Sequence, residues 1–177
     1  MTADHALHGP IEPPVQPEMR RLFALAKLGN GASFVVEATE AECRALAVRM
    51  GVVAIHTLTC RFELHREAGP VIAATGRLRA RLRQTCVVSL DPFDSEIAEE
   101  FAVRFVPAGT ESEEVDISSD DEIGYDGGVL DLGEAASEQL ALSLDAFPRK
   151  PGAALENPLA TEDYGAFAAL SKLRPLN

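Results

Sequence analysis

From Gly76 to Cys86 the chain reads Gly-Arg-Leu-Arg-Ala-Arg-Leu-Arg-Gln-Thr-Cys, with arginine returning at every second position four times. A β-strand sends successive side chains to opposite faces. Arg77, Arg79, Arg81 and Arg83 therefore share one face, and Leu78, Ala80, Leu82 and Cys86 the other. A helix would scatter the arginines around its circumference, so period two is the better fit. Neighbours in such a row stand roughly 7 Å apart, two rises of a strand, and they repel. Something acidic must face them: a neighbouring strand or a partner's phosphates.

The next segment supplies one answer. Between Glu96 and Val106, Ile97, Phe101, Val103 and Phe105 form an apolar face, while Glu96, Glu100 and Arg104 form the other. If the two strands meet as a hairpin through Asp91-Pro92-Phe93-Asp94, cross-strand Arg–Glu pairs satisfy part of the row and leave a sheet face of mixed charge. The alternative is that the arginines contact RNA or an acidic partner.

Elsewhere the pattern alternates between strand and helix. Arg20 to Leu28 reads as a first strand or a short helical turn, followed by a Gly29-Asn30-Gly31 turn and a strand from Phe34 to Ala38. Thr39 with Glu42 three residues later is a capping-box spacing. It opens a helix to Met50 that buries Cys43, Leu46, Ala47 and Met50 and stops at Gly51. Val52 to Leu64 reads as a strand with Val53, Ile55, Thr57, Thr59 and Arg61 on one face, and Val71 to Ser89 as a long strand or a bent pair with a bulge expected at Gly76. Asp131 and Glu134 repeat the capping spacing ahead of a helix to Leu144, whose seam is Leu132, Ala136, Leu140 and Leu144, widened by Ala135 and Leu142. A last short helix is predicted from Tyr164 to Leu173.

At 177 residues the chain has the size of one domain, large enough for a hydrophobic core without staples. Residues 1–18 hold four prolines and read as a flexible tail; residues 19–177 read as a single α+β domain. The fold expected is a mainly antiparallel sheet of five or six strands, with a curl toward a barrel left open, and two or three packed helices. Met1 to Glu18 has neither a basic start nor an apolar core of a secretory signal. No apolar run approaches a membrane-spanning length, so the cytoplasm is the expected compartment and no membrane is expected as a partner. Cys43, Cys60 and Cys86 are odd in number, widely separated and set among apolar residues, which reads as three small buried side chains.

The net charge is −12, so the mean field repels nucleic acid. Its distribution is uneven: Asp91 to Asp145 holds 17 acidic residues and one basic residue, a local −16, and the remainder is +4. The densest part is an excursion at 109–128, where Glu111, Glu113, Glu114, Asp116, Asp120, Asp121, Glu122 and Asp126 are candidates for holding a basic partner. It lacks the spacing of a calcium-binding EF-hand loop. Arg149 and Lys150 make a small basic exit after the second helix and join the four arginines as candidate contacts for RNA or an acidic partner. With tryptophan absent and only two tyrosines, no aromatic platform for stacking bases stands beside them.

Catalytic signatures are missing. There is no G-x-S-x-G, P-loop, G-x-G-x-x-G or H-E-x-x-H spacing, and no Cys/His set with zinc-ligand spacing. His56 and His65 are an odd number of residues apart, so a continuous strand puts them on opposite faces. Neither an enzyme nor a cofactor or metal is expected.

Several segments together resemble one family. These are Gln84-Thr85-Cys86-Val87-Val88-Ser89-Leu90-Asp91-Pro92-Phe93, the strand ending Phe105-Val106-Pro107, the helix from Leu130 to Leu144 with its exit Phe147-Pro148-Arg149-Lys150-Pro151-Gly152, and Asn157-Pro158-Leu159 followed by Phe167 to Leu173. In this order, with an acidic insert between strand and helix, they are similar to the YceD-like large ribosomal RNA subunit accumulation proteins, over roughly residues 75 to 175. The resemblance implies a small non-enzymatic factor supporting 23S rRNA accumulation, with no catalytic residues to carry over. Many members have C-x-x-C where this chain has Cys86-Val87-Val88-Ser89, so a metal or redox role does not transfer. The expected function is ribosome biogenesis by binding a basic ribosomal or rRNA-processing protein, with 23S rRNA itself as a second candidate partner. Two rivals remain: an interaction module unrelated to ribosomes, and a metal-dependent enzyme or regulator joining His56, His65 or Cys60 to the acidic loop.

Overall fold

The computed structural model describes residues 17–110 and 121–154. The elements run β1 (Leu22–Ala24), a 3-10 turn (Leu25–Lys27), β2 (Ala32–Glu37), α1 (Glu40–Met50), β3 (Ala54–Arg66), β4 (Ile72–Thr85), β5 (Pro92–Pro107), β6 (Asp121–Tyr125), β7 (Val129–Asp131) and α2 (Leu132–Leu142). β2 to β6 form a five-stranded sheet in sequence order, and β1 pairs with β7 as a separate ribbon. The predicted helix at 164–173, the tail up to residue 16 and acidic residues 111–120 lie outside the described residues.

The architecture is α+β, as expected, with two corrections. The sheet is mixed: β2, β3, β4 and β5 pair antiparallel, but β6 lies parallel to β5. A parallel return needs a connection of about a dozen residues or more, and the segment between Pro107 and Asp121 is that long. Part of the expected acidic excursion is therefore a strand, held by Ile123 and Tyr125, which pack against the core. The sheet is also not closed into a barrel. β2 and β6 end it on either side without pairing to each other, and α2 packs on β4, β2 and β1.

The core follows from strand alternation. Even positions of β4 are buried and odd ones face out, as are alternate positions of β3 after its bulge. Leu58, Phe62, Leu64, Ile72, Leu78, Leu82, Phe105, Leu132 and Leu140 are almost fully buried in one cluster. α2 lies over β4, β1 and β2. Its seam of Leu132, Ala135, Ala136 and Leu140 is buried, but the helix ends at Leu142, which stands 70% exposed, off the seam.

Both caps form, in different ways. Thr39 and Glu42 make the reciprocal capping box, and Gly51 ends α1 at φ +66°, the left-handed conformation that glycine adopts without strain. At α2, Asp131 accepts from the Gly133 and Glu134 N–H groups. Glu134 makes no return bond, because Arg49 draws its carboxylate away at 2.8 Å. Arg49 also pairs with Glu18 at 2.9 Å, tying the entering chain to both helices.

Gly76 is not a bulge. β4 keeps register with β3 and β5 through it. Its role is space: a Cβ there would overlap the Phe101 ring on β5. That ring lies over the glycine and meets Phe62 of β3 edge-on, centroids 5.7 Å apart. The bulge lies instead in β3, between Ile55 and Thr57. It puts Ile55 on the core face with Leu58, where unbroken alternation placed it beside Thr57.

Candidate functional site

The face of the sheet opposite the helices is open, and the arginine row runs down its middle. Arg77, Arg79, Arg81 and Arg83 are all exposed on β4. The antiparallel register sets Arg77 opposite Glu100, Arg79 opposite Ala98, Arg81 opposite Glu96 and Arg83 opposite Asp94. Three pairs close: Arg77–Glu100 at 3.1 Å, Arg81–Glu96 at 3.3 Å and Arg83–Asp94 at 2.7 Å. The last is two-pronged, Nε and Nη2 each donating to one carboxylate oxygen. That bond raises the Arg83 pKa and lowers that of Asp94. The hairpin turn lies at Cys86–Leu90, before Pro92, so Asp94 sits within the strand and not in the turn.

On β4's other side the register sets Arg61 of β3 opposite Arg77, and Thr59 opposite Arg79. Arg61 and Arg79 have no acidic partner among the described residues. They are diagonal neighbours, roughly 7–8 Å apart at Cβ in such a ladder. Arg61 belongs to the same basic face and could have been found by carrying the alternation across to β3. Arg104, farther along β5, is held by Glu67 and Glu122.

Arg149 and Lys150 lie beside the Arg83 end of the row. The Val87 N–H donates to the Pro148 carbonyl at 2.9 Å, and Lys150 approaches Asp91 at 3.7 Å. Of the acidic candidates, Asp121 and Glu122 open β6 and Asp126 lies in the turn before β7. Glu111, Glu113, Glu114, Asp116 and Asp120 fall outside the described residues.

His56, His65 and Cys60 do not converge. His56 faces Asp94 at 3.6 Å, His65 lies beside Gly31 at the other end of β3, and Cys60 is buried between them, its thiol pushed up to about 12 by loss of solvent. The bulge also leaves both histidines exposed, against the expectation of opposite faces. Cys86 is more than a buried apolar group. Its Sγ accepts the Val88 and Ser89 N–H groups at 3.4 Å each. The Ser89 N–H first, then its hydroxyl, bring the thiol down to about 6. The turn closes at Leu90 with φ +62°, a conformation uncommon for a side chain other than glycine.

Among the described residues no helix is long and apolar enough to cross a membrane. No curated protein and no solved structure matches the chain. One family model does, that of the large ribosomal RNA subunit accumulation protein YceD, over residues 74–173. The matched stretch starts at the head of the arginine strand and takes in β5, β6, β7 and α2, more than half of the chain. The chain belongs to the YceD family of large ribosomal RNA subunit accumulation proteins.

Proposed function

We propose that this protein supports accumulation of 23S rRNA without catalysing a reaction, by binding a basic ribosomal or rRNA-processing protein through its acidic region between Asp91 and Asp145. The family's description supplies the ribosomal context. The observation that carries the binding mode is the neutralised arginine row, in which three of four guanidiniums are matched by β5 carboxylates. Phosphate contact through this face would have to displace those carboxylates against a net charge of −12. Asp91 to Asp145 carries 17 acidic residues against one basic residue, an excess of charge that suits a cationic protein.

A second reading rests on Arg61 and Arg79, which are exposed on the open sheet face without a carboxylate partner among the described residues and suit an RNA phosphate. The two are separated by replacing Arg61, Arg77, Arg79, Arg81 and Arg83 with alanine and comparing what the tagged protein recovers from native extract. Retention of basic proteins and rRNA, with loss of both on neutralising Glu111, Glu113, Glu114, Asp116, Asp120, Asp121, Glu122 and Asp126, supports the first reading. Loss of rRNA alone from the arginine variant supports the second.

A further inference from the structure

β5 is longer than the strands that cover it. One edge pairs with β4 from Pro92 to Phe105, while the other meets β6 only from Val103 to Pro107. From Pro92 to Ala102 that second edge has no strand beside it among the described residues. Alternate residues there turn their N–H and C=O groups outward, a template for another strand.

The space beside this edge is shaped for one. α2 packs on β4, β1 and β2. A groove of about 390 Å³ runs along it, with Phe93, Ile97 and Glu99 on the strand side and Ser143, Pro148 and Arg149 on the other. Phe93 and Ile97 are only half-buried, so an entering strand would find apolar surface on its inner side.

Charge selects the occupant. Between Pro92 and Ala102 the strand carries Asp94, Glu96, Glu99 and Glu100 and no basic residue. A second copy pairing edge to edge would set these carboxylates against themselves, and RNA would bring phosphates to them. The three carboxylates on the open face are paired with exposed arginines, Asp94 also with His56, and each keeps lone pairs for another donor. We propose that this edge receives an extended, basic segment of a protein partner as an added strand. Its apolar side chains turn into the groove beside Phe93 and Ile97, and its lysines or arginines turn onto Asp94, Glu96 and Glu100. The proposal rests on the reading that the chain binds a basic protein, and it specifies where and how.

The test uses a synthetic peptide of alternating lysine and valine, and the same peptide N-methylated at alternate residues so that charge is kept but strand pairing is blocked. With the full chain, the plain peptide should slow amide exchange from Phe93 to Ala102 and bind about tenfold more tightly than the methylated one. The E96Q/E100Q variant should weaken binding by about tenfold at low salt, while E63Q, on β3 of the same face, leaves it unchanged. Equal binding of the two peptides, protection elsewhere, concentration-dependent dimers, or preference for a single-stranded RNA oligonucleotide would each overturn the proposal. If basic proteins are captured from extract equally by the wild type and E96Q/E100Q, the edge is wrong and the functional reading survives. Edge protection by the peptide with no basic protein captured from extract supports the edge and removes the functional reading.

Discussion

Glu42 joins three parts of the chain. Its two carboxylate oxygens accept from Arg21 Nη1 at 2.7 Å and Nη2 at 2.8 Å, and Oε2 also takes the Thr39 N–H at 2.7 Å and hydroxyl at 2.9 Å. Arg21 donates onward to the Glu37 carbonyl, so the carboxylate fastens the entering chain to the end of β2 and the start of α1. The Arg21 guanidinium, with the Thr39 N–H helping, lowers the Glu42 pKa from the usual 4.5 to about 2. Every tenfold change in proton affinity corresponds to about 1.4 kcal/mol. The side chains keep 27% and 17% of their exposure, so screening by water brings the contribution down to about 2 kcal/mol. A depressed carboxylate pKa stabilises the fold above the unfolded value, and that stability drains away as pH falls toward 2. Urea unfolding of E42Q at pH 7 should show a loss of about 2 kcal/mol, shrinking between pH 4.5 and pH 2 until the variant equals the wild type. A gap of the same size at pH 7 and pH 2.5 would refute the electrostatic account and leave only lost packing.

Three further outcomes are expected. Gly76→Val should cost about 2–4 kcal/mol, because its side chain takes the place of the Phe101 ring; in a Phe101→Ala background the same change should cost much less, which a double-mutant cycle by urea unfolding reads directly. Thiolate absorbance at 240 nm should rise with a midpoint near pH 6 in the folded protein and vanish in Cys86→Ser. With a thiol pKa lowered by folding, stability should rise with pH above 6 and be lost as pH falls through it. Removing Asp94 as D94N should leave the midpoint of urea unfolding nearly unchanged, since water screens an exposed pair, and any small loss should disappear in high salt.

Much of the fold is legible in the sequence because alternation is a local signal. The β4 row names its own faces, and with Glu96 and Glu100 on matching positions of β5, antiparallel register alone brings them to Arg81 and Arg77. Both helix starts are readable from capping residues. β6 is hidden because five residues opening with Asp121 and Glu122 look like the acidic stretch around them, and its partner is reached by a parallel return. The β3 bulge is hidden because nothing at Ile55-His56-Thr57 marks a register change. Gly76 stands out in the sequence, but the reason for it is an aromatic ring on the next strand, visible only after the register is known. The same step from one strand to two adds Arg61 to the basic face. The β5 edge that has no strand beside it among the described residues depends on the length of β6, which no local pattern states.

The central claim is that the acidic region from Asp91 to Asp145 holds a basic protein, and that the arginine face does not hold rRNA. Purification of the tagged full chain from native extract, with and without ribonuclease, tests it most directly. The account predicts that basic ribosomal or processing proteins stay bound after ribonuclease treatment and leave as salt is raised. Recovery of those proteins only while RNA is intact, and its loss when Arg61 and Arg79 become alanine, would contradict it.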